Sequence, residues 1–550
     1  MTGVSEAALA QGERNRRACA EQRALVEALR DPACFAHPVG SVSLIETHIS
    51  FVILTGSIAY KIKKPVDFGF LDFTTLEKRR FFCSEERRLN ARFAARIYLD
   101  VVPIGGTREH PLVEAKGAAI EYAVKLRQFP QEALGDRVLA RGELTLLHMD
   151  ALAELLAGFH ARAGTAAGGD PFGSPEAIQS SVVQNFSQIL DLPISAAQLS
   201  IVNDTQTWAR NRHASLCKVF ARRKREGRVR ECHGDLHLGN IVILDGAPLP
   251  FDCIEFNPDL RWIDVMNEVA FMVMDLRAAD RADLANRFLN AYLESCGDYD
   301  GLRVLDYYVA YRAMVRAKIG MMRAGQIASG GDAAAPRQPT DHRYLALAYD
   351  CGRSRAGFIA ITHGFSGSGK TTLSRSLAEL NGAIRVRSDI ERKRMQGMAS
   401  TDRGEAGMES DLYSADATDA TYRRLLDLAQ VILDSGHGVI VDATFLQRRH
   451  RELFRACAAL AGVPFAIVDF TASEALLRER IGKRGRLDED ASDADQAVLE
   501  HQLRRAEALQ SDELATVFAY DTSRSVEDSR QPQTWAPLLR RLSSAGALLP

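Results

Sequence analysis

The chain has 550 residues, of which 46% are hydrophobic and 25% charged, and its formal net charge is -2. This length exceeds what one hydrophobic core supports, so we expect two or three domains. The near-zero charge gives no electrostatic basis for binding nucleic acid or an anionic membrane. The sequence has no apolar run of membrane-spanning length. Residues 1–17 are polar, so we expect no secretory signal there. The nine cysteines lack metal-site spacing, so a cytoplasmic protein with reduced thiols is expected.

The first half of the chain combines helices with short strands. We predict a helix at 18–29, strands at 49–54 and 58–63, a helix at 75–95, and strands at 99–103 and 118–126. From residue 145 the pattern is mostly helical. This arrangement predicts an α+β domain.

An H-G-D motif at 233–235 interrupts the helical region, and Asn240 lies five residues after Asp235. This is the spacing of a kinase catalytic loop, in which the aspartate orients or deprotonates a substrate hydroxyl and the asparagine binds Mg²⁺. The alternative is an Asx-turn without chemistry.

The segment after this motif predicts a hairpin, with strands at 241–244 and 249–251 and a turn at 245–246. Asp252 ends the hairpin, where a second magnesium ligand belongs. The hairpin therefore favours the catalytic interpretation over the simple turn.

These residues resemble the aminoglycoside phosphotransferase and choline kinase family, which has the protein-kinase-like fold. The resemblance covers about residues 43–323. It implies that Lys61 grips the ATP phosphates and pairs with Glu86 in the next helix, with Glu85 as the other possible partner. Lys63 lies on the same face of the strand as Lys61 because side chains alternate.

The sequence departs from the family pattern at two points. It has no G-x-G-x-x-G loop, and its magnesium-site segment reads F-D-C-I-E-F instead of D-F-G. Glu255 therefore adds an acidic group to the expected site. Asp264, at the start of a helix, is either a cap or a brace for the loop.

A low-complexity stretch rich in Gly, Ala, Ser and Pro separates the two halves of the chain. Such a composition buries too little apolar surface to fold. We therefore divide the chain into a kinase-like domain at 1–323, a linker at 324–340 and an ATP-binding domain at 341–550.

The second half alternates strands with helices. Strands are predicted at 358–362, 384–387, 439–441 and 465–468, with a helix at 371–380. This alternation predicts an α/β domain with a parallel sheet and helices on both faces.

A complete G-x-x-x-x-G-K-[ST] motif lies between the first of these strands and the helix. Together with the residue after it, the motif comprises Gly364, Phe365, Ser366, Gly367, Ser368, Gly369, Lys370, Thr371 and Thr372. Its backbone N–H groups are expected to surround phosphate oxygens, with Lys370 on the β- and γ-phosphates and Thr371 on Mg²⁺.

Two acidic residues at strand ends complete the predicted site: Asp389 closes the strand I-R-V-R-S, and Asp442 closes the strand in V-I-V-D-A-T. Asp389 is expected to accept the proton of an attacking hydroxyl and Asp442 to hold Mg²⁺ through water, with a helix N-cap as the alternative for each. Arg480 and Arg484 belong to an arginine cluster that either stabilises transferring phosphate or forms a solvated helix face.

The order of these motifs resembles the small P-loop kinases, which include gluconate kinase-like enzymes, the kinase part of polynucleotide kinase and zeta toxins. The resemblance covers about residues 358–523. It implies that Asp389 is the base and that Arg480 and Arg484 belong to a lid. The order of both halves also resembles a bacterial group of fused phosphotransferase and ATP-binding proteins.

The sequence therefore predicts an ATP- and Mg²⁺-dependent phosphotransferase with two kinase-like modules that act on hydroxyl groups of small molecules. Two alternatives stay open: one module only regulates the other, or the second module is an ATP-switched interaction module. A polynucleotide acceptor is a weaker possibility because the charge is near neutral. The sequence leaves the oligomeric state open.

Overall fold

The computed structural model describes residues 6–69, 71–328, 340–353, 357–398, 415–487 and 496–543. The chain forms two compact units. The first unit comprises Met1–Leu152, Phe159–Ile178 and Phe220–Met272. The second comprises Ala153–Gly158, Gln179–Val219 and Val273–Pro550.

A six-stranded antiparallel sheet forms the core of the first unit. Its strands are β1 (Ser43–Glu46), β2 (Ser50–Leu54), β3 (Ile58–Lys63), β4 (Tyr98–Gly106), β5 (Pro111–Val113) and β6 (Glu121–Arg127), in the spatial order β1-β2-β3-β6-β4-β5. Helix α1 spans Glu6–Ala28 and α2 spans Leu76–Ala94. Side chains alternate along β3, so Tyr60 and Ile62 pack with Leu25 of α1, while Lys61 and Lys63 lie on the other face.

Residues 135–350 of the chain are mostly helical. The helices are α3 (Gly135–Ala140), α4 (Leu146–Arg162), α5 (Pro175–Leu190), α6 (Ala196–Arg225), α7 (Val265–Ala278), α8 (Ala282–Cys296), α9 (Leu302–Ala328) and α10 (Thr340–Asp350). Strands β7 (Val229–Glu231) and β10 (Trp262–Asp264) pair antiparallel, as do β8 (Ile241–Leu244) and β9 (Ala247–Pro250). The turn of the second pair has φ of 53° at Asp245 and 75° at Gly246, the geometry that favours an Asp-Gly hairpin.

A five-stranded parallel sheet forms a core within the second unit. Its strands are β11 (Ile359–His363), β12 (Ile384–Arg387), β13 (Val439–Asp442), β14 (Phe465–Thr471) and β15 (Val517–Asp521), in the order β12-β13-β11-β14-β15. The helices are α11 (Lys370–Asn381), α12 (Ser388–Met395), α13 (Ala415–Asp434), α14 (Arg448–Ala461), α15 (Glu474–Leu487), α16 (Gln496–Arg505) and α17 (Pro532–Leu542). Carboxyl ends of parallel strands form the ligand crevice of such sheets.

The predicted fold class, a multidomain α/β and α+β chain with a kinase-like region and a parallel P-loop sheet, is confirmed. Two details differ from the sequence analysis. Strand β12 ends at Arg387, and Asp389 lies in the first turn of α12 and not at the end of the strand. The predicted linker 324–340 lies largely outside the described residues, and its described start continues helix α9. Among the described helices, none is both long and apolar enough to cross a membrane.

Candidate active sites

Lys61 of strand β3 and Glu86 of helix α2 form a buried ion pair. Lys61 Nζ lies 2.8 Å from Glu86 Oε1, and the Glu86 side chain is fully buried. The other carboxylate oxygen, Glu86 Oε2, lies 2.7 Å from Lys63 Nζ. Both lysines reach the same carboxylate because they are two residues apart in one strand. Glu86 and Glu85 were the two possible partners of Lys61, and in the structure Lys61 contacts Glu86.

The segment after the β8–β9 hairpin brings two more carboxylates to these lysines. Asp252 Oδ1 lies 2.5 Å from Lys61 Nζ, and Glu255 forms an ion pair with Lys63. Asp252 has a φ of 63°, which is uncommon for a residue other than glycine. Its backbone N–H donates a hydrogen bond to the Tyr98 hydroxyl at 3.1 Å. These contacts fix the segment in its left-handed turn.

The charges of this cluster are strongly coupled. Burial raises the pKa of Glu86, but Lys61 and Lys63 lower it to about 2. Burial disfavours the charged form of Lys61, yet Asp252 and Glu86 hold its pKa well above the usual range. Glu255 differs, because burial keeps its pKa above the usual value in spite of Lys63. The cluster therefore has a buried Lys–Glu core and one accessible carboxylate, Asp252, which is 42% exposed.

The two predicted residues of the H-G-D loop, Asp235 and Asn240, are in direct contact. Asn240 Nδ2 donates hydrogen bonds to Asp235 Oδ2 at 2.9 Å and to the Asp235 main-chain oxygen at 3.0 Å. His237 Nε2 lies 3.5 Å from the same carboxylate oxygen, and the Asp235 side chain is 38% exposed. The loop therefore presents an oriented, accessible carboxylate.

A carboxylate behind the loop holds its backbone in place. Glu268 Oε1 of helix α7 accepts hydrogen bonds from the N–H groups of His233 at 2.6 Å and Gly234 at 2.8 Å. Its other oxygen lies 2.8 Å from His160 Nε2. Gly234 has a φ of 89°, and a Cβ there would lie 2.7 Å from the Leu260 carbonyl oxygen. Glycine and Glu268 together set the path of the loop.

Two groups of side chains in the first unit have the chemistry to hold a metal ion. Asn240 and Asp252 offer the hard oxygen donors that suit Mg²⁺. Ligand atoms of buried His160, Cys232 and Glu268 also lie within 4.8 Å of one another. Since both Glu268 oxygens already accept hydrogen bonds, we assign that second group to support of the loop.

The glycine-rich loop 364–371 joins β11 to the start of α11. The φ angles are 138°, 83° and 85° at Gly364, Gly367 and Gly369. A Cβ at Gly364 would lie 2.7 Å from the Phe470 carbonyl oxygen, so the loop requires glycine there. Lys370 begins the helix, and its Nζ donates to the Phe365 main-chain oxygen at 2.7 Å. The loop has the form of an anion cradle at a helix N-terminus.

Helix α16 contacts this loop. Ser366 N–H donates to Gln502 Oε1 at 2.9 Å, and Gln502 Nε2 donates to Ser366 Oγ at 2.9 Å. Ser368 is buried within the loop, whereas Thr372 on the first turn of α11 is exposed. The sequence analysis did not identify Gln502, because a lone glutamine far along the chain carries no motif.

Asp442, the last residue of β13, is buried beside helix α11. Ser374 Oγ donates to Asp442 Oδ2 at 3.0 Å, and Arg385 Nη1 lies 3.7 Å from the same oxygen. The same Arg385 nitrogen donates to the Thr371 main-chain oxygen at 2.7 Å. Arg385 therefore bridges the two residues predicted to serve the magnesium ion.

Asp389 is bound by a neighbouring arginine. Arg387 Nη2 lies 2.6 Å from Asp389 Oδ2, and Arg387 Nε donates to Oδ1 at 3.2 Å. Burial raises the pKa of Asp389, but Arg387 brings it below the usual value. The carboxylate is therefore ionised and paired with Arg387.

The arginines of α15 are only partly described. Arg480 donates to the Thr522 hydroxyl at 3.0 Å and to its main-chain oxygen at 2.6 Å. Arg484 lies in the same helix, and its side chain lies outside the described residues. The structure thus fixes Arg480 near the end of β15.

Comparison with known proteins identifies both regions. Residues 119–305 match the "Phosphotransferase enzyme family" and residues 359–509 match the "AAA domain" family. Uncharacterized protein Rv2004c of Mycobacterium tuberculosis (strain ATCC 25618 / H37Rv) is 32% identical over 469 residues, which cover 84% of this chain and 91% of that protein.

Two solved structures also match parts of the chain. Amicoumacin kinase hAmiN is 12% identical, with a TM-score of 0.38, over 62% of this chain and 95% of its own. A gluconokinase from Sinorhizobium meliloti 1021 is 21% identical, with a TM-score of 0.25, over 34% of this chain and 95% of its own. On the family matches and the mycobacterial relative, the chain belongs to the bacterial family in which an aminoglycoside phosphotransferase-like region is fused to a P-loop kinase-like ATP-binding region.

Proposed function

We propose that the protein is an ATP- and Mg²⁺-dependent phosphotransferase with two kinase-type sites, each transferring the γ-phosphoryl group of ATP to a hydroxyl group of a small molecule. The observation that carries the proposal is the Lys61–Glu86 pair with Asp252 on the same ammonium group. Kinases need a lysine for the phosphates, a glutamate that holds it and an aspartate for the metal. The H-G-D loop supplies the base and a further metal ligand, and Asn240 Nδ2 donates two hydrogen bonds that orient Asp235.

In the first site, Asp235 is the proposed base. As the acceptor oxygen bonds to the γ-phosphorus, its proton passes to the Asp235 carboxylate, and the bond to the β-phosphate oxygen breaks to release ADP. The Asn240 side-chain oxygen and Asp252 would hold Mg²⁺, which when bound neutralises charge on the phosphates. Asp252 is already in contact with Lys61, so the binding of nucleotide and metal has to separate that pair.

In the second site, the backbone of loop 364–371 and Lys370 would bind the phosphates. Thr371 and, through water, Asp442 would hold Mg²⁺, and Asp389 would receive the acceptor proton. Asp389 must leave part of its contact with Arg387 to do so. Arg480 would contribute positive charge next to the loop, since a Cβ at Gly369 would lie 3.7 Å from Arg480 Nη1.

A second candidate follows from the state of Asp389. Its carboxylate is paired with Arg387 through two hydrogen bonds, whereas the Asp235 carboxylate is oriented by Asn240 and is 38% exposed. This difference favours a variant of the proposal in which the first site catalyses transfer and the P-loop site binds ATP as a regulator.

The acceptors are proposed to be small molecules, because the net charge of -2 gives no general attraction for nucleic acid. We also propose that the protein is cytoplasmic, where its nine cysteines would stay reduced. Disulfide bonds in protein isolated from cells without reductant would contradict this proposal.

The test is transfer from γ-labelled ATP into a metabolite extract, followed by identification of the labelled product. The full chain is compared with the Asp235→Ala and Lys370→Ala variants. Two products, each lost in one variant, support two catalytic sites. One product, lost with Asp235→Ala and only slowed with Lys370→Ala, supports the regulatory variant. Release of phosphate without any labelled product contradicts the proposal.

A further inference from the structure

Helix α8 lies against the P-loop sheet within the second unit, although it belongs to the stretch that matches the phosphotransferase family. Strand β12 is an edge strand of that sheet, and an edge leaves backbone groups unpaired. Asn290 Oδ1 accepts from Arg385 N–H at 2.7 Å, and Asn290 Nδ2 donates to the Ala383 oxygen at 3.1 Å. Asn290 of α8 thereby pairs with one backbone N–H group and one backbone carbonyl group at this edge.

One turn further along α8, Glu294 joins the two arginines of β12. Glu294 Oε2 lies 2.9 Å from Arg385 Nη2, and Oε1 lies 2.9 Å from Arg387 Nη1. The arginine side chains are 4% and 5% exposed and Glu294 is 17% exposed. Burial raises the pKa of Glu294, but Arg385 and Arg387 lower it to about 2. The carboxylate is thus ionised and commits one oxygen to each arginine.

Each arginine also contacts residues of the predicted P-loop site. Arg385 reaches the Thr371 main-chain oxygen and lies beside Asp442, and Arg387 holds Asp389. An arginine fork has enough donors to bind two partners in a fixed geometry. Glu294 therefore sets the orientation of groups on both the magnesium side and the acceptor side of the site.

We infer that Glu294 is a positioning residue of the P-loop site, supplied by the phosphotransferase-like region. The site is then incomplete without helix α8, which gives a physical reason for carrying both regions in one chain. The inference rests on the proposed function for the roles of Asp389 and Asp442, and on the observed contacts for the placement of Arg385 and Arg387.

The same helix offers a matched control. Arg287 Nη1 lies 2.7 Å from Glu379 Oε1 of α11, and these side chains are 9% and 10% exposed. Arg287→Gln therefore removes one charge from a buried pair between α8 and the P-loop region without touching the β12 arginines. Glu294→Gln likewise removes one charge, but from the carboxylate that Arg385 and Arg387 share.

The experiment is amide hydrogen exchange on the full-length chain, wild type and both variants, with ATP turnover measured in an Asp235→Ala background. Glu294→Gln should raise exchange in residues 385–391 by about tenfold, since it weakens the two charge-assisted contacts that hold Arg385 and Arg387. Arg287→Gln should leave that segment unchanged. Turnover at the P-loop site should fall about tenfold for Glu294→Gln, with the KM for ATP within about threefold of the parent.

Unchanged exchange at 385–391 in Glu294→Gln, or an equal rise in both variants, overturns the inference. A uniform rise across the whole chain overturns it as well, because that result means lost stability and not lost positioning. If the Asp235→Ala parent shows no turnover, the proposed catalysis at the P-loop site fails, while the exchange result still decides whether Glu294 positions these arginines.

Discussion

The two lysines expected to bind ATP phosphates are held in different ways. Lys61 contacts two carboxylates, Glu86 and Asp252, whereas Lys370 donates to a neutral main-chain oxygen. Nucleotide at the first site must compete with two carboxylates for Lys61, whereas at the P-loop it must compete with the Phe365 carbonyl oxygen for Lys370. The first site therefore has to be opened by metal and nucleotide together.

The two proposed bases differ in the opposite sense. Asp235 is accessible and oriented by Asn240, while Asp389 is paired with Arg387. The first site is therefore prepared for proton transfer, and the second for nucleotide binding. Three substitutions and one change of pH test this difference between the two sites.

The largest effect is expected from Asp235→Asn. Loss of the base should lower formation of the first site's product by about a thousandfold, within the range for general base catalysis, while MgATP affinity stays within about threefold. Product formation and calorimetry measure the two quantities. Asp245→Asn is the control, because its side chain in the hairpin turn is 88% exposed. Equal losses in both variants would show that the loop was disturbed as a whole.

Glu86→Gln should destabilise the first unit by about 3–5 kcal/mol, because it leaves Lys61 and Lys63 as buried, undercompensated charges. Urea unfolding measures this change. Glu85→Gln, next to it on α2 and 21% exposed, should cost less than about 1 kcal/mol. A small effect of Glu86→Gln would mean that Asp252 and Glu255 suffice to hold the lysines.

Lys370→Ala should weaken MgATP binding at the P-loop by about a hundredfold, as expected for the loss of a charge-assisted contact of up to about 3 kcal/mol. Binding at the first site should not change. Calorimetric titration resolves the two sites. Lys483→Ala provides the control, since that side chain is 70% exposed and pairs with Glu479. Loss of both binding events in Lys370→Ala would rule out independent sites.

The smallest effect is a pH dependence. The pKa of Glu86 falls from 4.5 to about 2 in the folded protein. A lowered carboxyl pKa gives stability that is present above about pH 4.5 and is lost as the pH falls toward 2. The stability difference between wild type and Glu86→Gln should therefore shrink by about 2 kcal/mol from pH 5 to pH 3. A difference that stays constant over this window would contradict the assigned pKa.

The sequence predicted the parts of the sites that depend on local motifs. The glycine loop, the H-G-D loop and the hairpin ending at Asp252 follow from short-range rules of turns and helix starts. The Lys61–Glu86 contact came from a family resemblance, and the strand and helix that carry it were visible as periodic segments. Such features need only a few neighbouring residues to be specified.

Long-range contacts were not predictable in this way. The pairing of Lys63 with Glu255 joins residues 192 positions apart, and Glu268 holds the H-G-D loop from a later helix. The polar residues Asn286, Asn290 and Glu294 repeat every four positions on α8, which indicates a polar stripe on one helix face but not its partner. The position of Asp389 was missed because strand β12 ends two residues before it, and Arg387 takes up its carboxylate.

The most direct test of the two-site account is calorimetric titration of the full chain with a non-hydrolysable ATP analogue, with and without Mg²⁺. We expect two magnesium-dependent binding events of the ATP analogue per chain, one of which is lost in Lys370→Ala and the other in Asp252→Ala. A single event that either substitution removes, or no magnesium-dependent binding at all, would contradict it.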